Sequence, residues 1–141
     1  MERTDCEDAA QRYLERFGWP CVADGFAVWA LAGQAFDAVD ISAPHGSAVL
    51  SALRNETGHP PQVITVPGDP AIWRFLVHPR AHVLRTWRAT LTTAGAHHLT
   101  TAARIELPPT RVPGGELTWV RPPLGRLTTL DQLVAALTAL R

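Results

Sequence analysis

Phe36-Asp37-Ala38-Val39-Asp40-Ile41-Ser42 alternates apolar and polar side chains and ends on polar groups, the pattern of a buried strand whose far end reaches the edge of the fold. Side chains alternate across a strand, so Asp37 and Asp40, three apart, point to opposite faces. Asp40 and Ser42, two apart, share one. A carboxylate at position 42 would complete the paired oxygen ligands that hold a divalent metal for phosphoryl transfer. The residue there is Ser, neutral and a weak ligand for a hard cation.

Working outward, Pro44 to Gly46 reads as a turn into a helix from about Ser47 to Arg54, with Val49, Leu50 and Leu53 inward. Before the central stretch, Cys21–Ala23 and Phe26–Ala32 read as strands separated by Gly25 and Gly33. The chain opens with a helix: Thr4 and Glu7 have capping-box spacing, Ala9, Ala10, Tyr13, Leu14 and Phe17 recur at helical intervals, and Gly18 ends it. After the central stretch, Gln62–Val66 and Ile72–Val77 flank Pro67-Gly68-Asp69-Pro70 and read as a hairpin. Pro79 and Arg80 are expected to open a third helix carrying Val83, Leu84, Trp87 and Leu91, and Gly95–Thr101 reads as irregular. Arg104–Leu107 and Leu117–Val120 read as strands around a loop. A final amphipathic helix, about 128–140, carries Leu130, Leu133, Val134, Leu137 and Leu140.

Helices and hairpins mixed without βαβ alternation give an α+β expectation: a single domain over residues 1–141, with a mixed or antiparallel sheet and flanking helices. The length suffices for a real core. No apolar run approaches the roughly 20 residues of a membrane span, and the acidic N-terminus lacks the core of a signal peptide, so the expectation is a cytoplasmic chain without membrane contact. Two cysteines match neither a disulfide framework nor a zinc pattern. The 13 basic residues, all Arg, balance 13 acidic ones, which argues against a strong non-specific grip on nucleic acid but leaves room for a local Arg patch.

Three stretches carry a resemblance. They are Ala9-Ala-Gln-Arg-Tyr-Leu-Glu-Arg-Phe-Gly-Trp-Pro20, then Phe36 through Leu50, then Arg104-Ile-Glu-Leu-Pro-Pro-Thr-Arg-Val-Pro-Gly-Gly-Glu-Leu-Thr-Trp-Val-Arg-Pro-Pro123. In that order they resemble the N-terminal domain of bifunctional DNA primase/polymerases, the prim-pol branch of the archaeo-eukaryotic primase superfamily, and most of all its short actinobacterial type. The resemblance implies a primase/polymerase-like fold. It also implies acidic residues on two neighbouring strands that hold Mg or Mn, and a His that contacts the incoming nucleotide. Carried over residue by residue, Asp40 matches the first carboxylate and Ser42 falls where the second belongs. Trp73 and Arg74 occupy the region of the nucleotide-contacting His, and His97 falls at the third acidic position. One expected group in four is present, too little for two-metal phosphoryl transfer.

The implied reading is a degenerate active site without Mg or Mn, whose old cleft, lined by Asp40, Ser42, Trp73, Arg74 and His97, binds a nucleic acid, a nucleotide or a protein partner. Arg104, Arg111 and Arg121 around Pro108-Pro109-Thr110 form the basic cluster, Arg104 pairing with Glu106 or, like Arg111, meeting phosphate. The alternative is a homo- or hetero-oligomeric interaction module using the C-terminal amphipathic helix. A third reading is an active metal enzyme built on Asp40 and His97, or a zinc site from Asp40 with His82, His97 or His98. Plainer roles stand beside these: Asp40 as the cap of a helix or turn, Asp37 as a solvent-facing strand residue, Trp73 as core or pocket wall, and Arg74 as a surface cation. Ser47 and Thr110 lack an activating base, which discards nucleophilic catalysis.

Overall fold

The first helix is set by its two ends. In the computed structural model, which describes residues 4–124 and 126–140, α1 spans Asp5–Phe17. The Thr4 hydroxyl accepts from the Glu7 amide at 3.1 Å, and Gly18, at φ 70°, closes the helix in a left-handed conformation that costs glycine little. Cys6, Ala9 and Tyr13 form its buried face. The chain then turns back at Trp19, whose ring meets Phe36 edge-on with centroids 4.8 Å apart.

Three short strands, β1 (Val22–Asp24), β2 (Ala27–Leu31) and β7 (Arg104–Glu106), form one antiparallel sheet in the order β1-β2-β7. A larger sheet has the order β10-β4-β5-β3-β6, from β3 (Asp37–Ser42), β4 (Val63–Val66), β5 (Ile72–Val77), β6 (His97–Leu99) and β10 (Thr118–Arg121). All its ladders are antiparallel, and β4 and β5 form the expected hairpin. Arg111–Val112 (β8) and Gly115–Glu116 (β9) form a small hairpin in what reads as a loop from sequence.

The larger sheet is covered on both faces. Ala38, Ile64 and Leu76 pack towards α1 and the smaller sheet, with Val28 and Ile105 opposite. Val39, Ile41, Phe75 and Val77 face the helices α2 (Ala43–Thr57), α3 (Arg85–Thr93) and α4 (Leu130–Ala139). Helix α4 begins with a complete capping box, Thr129 with Gln132, and buries Leu130, Leu133, Val134 and Leu137 in the chain's own core. Each such side chain contributes roughly 1.5–3 kcal/mol, so this part of the amphipathic stripe is buried within the domain, while Leu140 stays exposed. The fold class is α+β. No helix among the described residues is long and apolar enough to cross a membrane.

Three further element boundaries differ from the sequence reading. Helix α2 starts at Ala43, not Ser47: Ser42 is both the end of β3 and the N-cap, and Pro44 sits in the first turn, where its missing N–H costs nothing. Helix α3 starts at Arg85, because the Arg80 amide is drawn to the Asp37 carboxylate at 3.4 Å and the intervening chain bends at Ala81 without forming a helix. Residues 97–99 form an edge strand on β3, since main-chain pairing outweighs the poor strand signal of two adjacent histidines.

Thr110, in the Pro-Pro-Thr segment, is fully enclosed. Its hydroxyl accepts from the Val28 amide at 2.8 Å and donates to the Val28 carbonyl at 3.0 Å, standing in for a strand neighbour. Thr110→Val leaves the buried Val28 amide without that partner, while the carbonyl keeps the Leu107 amide at 2.9 Å, and is predicted to cost about 1–3 kcal/mol in urea unfolding, whereas Thr110→Ser keeps most of the stability. Equal stability of the Val and Ser variants would show that the hydroxyl contributes nothing.

Candidate functional site

The register of the large sheet brings three of the expected residues side by side. Asp40 on β3 lies opposite Arg74 on β5 and opposite His97 on β6, so all three share the face turned towards the smaller sheet. Arg74 grips Asp40 with two parallel bonds, Nε to Oδ1 at 2.8 Å and Nη2 to Oδ2 at 3.0 Å. Its remaining nitrogen Nη1 donates to the Glu106 carbonyl on β7 at 2.9 Å. Both side chains are only 12% exposed. This fork-on-fork geometry is the strongest form of ion pair, and the third bond ties the two sheets together.

Both carboxylate oxygens of Asp40 are therefore engaged by a cation that cannot leave without stranding them. Ser42, two residues on, is exposed at the helix N-terminus and offers one neutral hydroxyl. Among the described residues, no three His, Cys, Asp or Glu side chains gather where they could hold a metal ion. The donor set does not fit the Mg or Mn pair of a polymerase, nor the zinc alternatives. Asp40 is not a helix cap, and Arg74 is not a surface cation: each answers the other.

Trp73 departs from the expected cleft. It lies on the opposite face, against α2, where a Cβ on Gly46 would come 3.0 Å from the Trp73 Cβ. The close approach needs glycine at position 46. Arg104 and Arg111 are exposed, and each has a ring beneath it: Arg104 lies 4.3 Å from the centroid of the Trp29 ring, and Arg111 lies 5.6 Å from that of Phe26. Arg104 thus rests on an indole. Thr110 serves the fold, as described above, and Arg121 ends β10, away from Asp40 across β4 and β5.

Asp37 was expected in solvent and is buried, 1% exposed, because β3 is an interior strand with helices over that face. Its Oδ2 accepts from the Thr100 hydroxyl at 3.0 Å, while Oδ1 has no partner. His98 Nε2, also without a hydrogen bond, sits 3.8 Å from Asp37 Oδ2. Burial pushes the His98 pKa down; Asp37 pulls it up, and His97 and Arg88 push it down further. The carboxylate's neighbours were hidden in sequence because Thr100 and Arg80 arrive from loops whose course only the tertiary fold decides. Compared with family models, curated proteins and solved structures, the chain matches none.

A depressed histidine pKa means that the unfolded chain takes the proton more readily. The stability due to neutral His98 is then complete above its ordinary 6.5 and lost as pH falls through the lowered folded value. The thermal midpoint is predicted to drop as pH falls below His98's ordinary 6.5, and His98→Gln to flatten part of that drop. An acid limb identical in both proteins would remove His98 from the account.

Proposed function

We propose that the chain is a primase/polymerase-like domain that has lost its catalytic centre and works by binding. The fold assignment in this reading rests on the three sequence stretches and their order. The loss of catalysis rests on one observation, the Arg74 guanidinium closed over Asp40, with Ser42 and His97 standing where further carboxylates belong. Two-metal phosphoryl transfer needs several anionic oxygens around ions a few ångströms apart, and here the only carboxylate of the set is neutralised by a side chain.

The ligand side of the reading is nucleic acid or nucleotide. Arg104 and Arg111, exposed and each resting on an aromatic ring, are the groups that would meet phosphate. Two such contacts give weak binding with a shallow salt dependence, a slope of roughly −1.4 in log affinity against log salt for a single strand. Protein docking through α4, the competing reading, loses its motivation because that helix is packed on the chain's own core.

The test is primer extension and unprimed synthesis with labelled nucleotides, in magnesium and in manganese. The purified protein is predicted to incorporate nothing above a no-protein control. Incorporation that disappears in Asp40→Ala would overturn the proposal, since it would require Asp40 to release Arg74 and take up metal.

A further inference from the structure

We propose that the groove between α1 and the chain following β10 docks an acidic segment of a partner protein that carries bulky apolar side chains. This surface is separate from Asp40, β4 and β5 lying between Trp119 on β10 and Asp40 on β3, and stands whether or not the domain catalyses.

The groove consists of two adjoining hollows of about 250 and 370 Å³ that share Phe17, Pro123 and Leu124. Leu124 is 64% exposed and Phe17 37%, apolar surface that the fold leaves unburied. Trp119 closes one end of the groove, and Leu127 lies at the other. The wall is already fixed in the free chain. Trp119 Nε1 donates to the Tyr13 hydroxyl at 3.3 Å, and that hydroxyl donates to the Pro108 carbonyl at 2.6 Å. That part of the wall needs no side-chain ordering on binding.

The charge around the groove names the occupant. Arg12 and Arg16 stand beside the first hollow and Arg126 beside the second, and the described residues lining the two include no Asp or Glu. The chain has as many acidic residues as basic ones, so this is segregation and not an overall excess. Glu15, the carboxylate nearest in sequence to Arg16, accepts a hydrogen bond from Gln11 instead. A second copy meeting this face with its own would set arginine against arginine. A bilayer is flat and fits a concave, walled groove poorly. Phosphates of a nucleic acid would suit the arginines, yet of the aromatic rings at the groove Tyr13 and Trp19 are buried, Phe17 lies against Trp19 with centroids 4.9 Å apart and Trp119 is tied to Tyr13, which leaves bases little free ring face to stack on. An acidic peptide satisfies both halves: its apolar side chains fill the hollows while its carboxylates reach the arginines.

The experiment uses the full chain and fluorescence anisotropy with a labelled peptide of about twelve residues, two leucines set among glutamates. Binding is expected for this peptide and not for versions with Gln for every Glu or Ser for both Leu. Arg12→Gln with Arg16→Gln is expected to weaken it about fivefold to tenfold. Leu124→Ser is expected to weaken it to a similar extent; all three residues are exposed, and unchanged thermal midpoints establish that the variants are folded. No binding by the wild-type chain, or equal binding by the variants, overturns the proposal. So does preferential binding, lost in the same variants, to an oligothymidylate or to phosphatidylserine vesicles.

Discussion

Arg74 makes three hydrogen bonds, two to Asp40 and one to the Glu106 carbonyl, and the relation between the two sheets depends on them. The partners come from β5, β3 and β7, so one side chain joins neighbouring strands of the larger sheet to the outer strand of the smaller one. With both charges nearly enclosed, neither is stable alone: removing one partner of such a pair typically costs about 3–5 kcal/mol. The pair is thus self-consistent. It also decides the chemistry, because the guanidinium neutralises the carboxylate and occupies one lone pair on each oxygen in a site only 12% exposed.

Covering the larger sheet on both sides has consequences beyond packing. Strand β3 lies between β5 and β6, and its alternation sends Asp40 towards the smaller sheet and Asp37 towards the helices. The same strand therefore carries two enclosed acids with different solutions. Asp40 has an arginine. Asp37 has a threonine hydroxyl, a backbone amide and a neighbouring histidine, and one oxygen left over. The first arrangement is a clamp; the second ties the chain after β5 and after β6 to β3.

Much of the framework was legible from residue pattern. Thr4, Gly18 and the Pro67–Pro70 turn are local signals, and α1 and the β4–β5 hairpin follow from them because short-range sterics and capping settle those segments. The strand β3 and the amphipathic stripe of α4 were equally plain. Residues whose environment comes from distant segments were not. The charge of Arg74 reads as a surface group until β5 is laid beside β3, and Asp37 reads as solvated until helices are known to cover that face. The edge strand at 97–99 was hidden because His-His-Leu has no strand periodicity; its partner supplies the order. Of the expected site, Asp40, Arg74 and His97 come together, Trp73 is turned away by strand parity, and Arg104 and Arg111 rest on aromatic rings.

The most direct measurement is a double-mutant cycle on Asp40 and Arg74, using Asp40→Asn, Arg74→Gln and the double variant in urea unfolding. The clamp predicts that each single variant is strongly destabilised and that the double variant loses less than the sum, with a coupling of about 1–3 kcal/mol. Additive effects, with no coupling between the two positions, would contradict it and leave Asp40 free for other work.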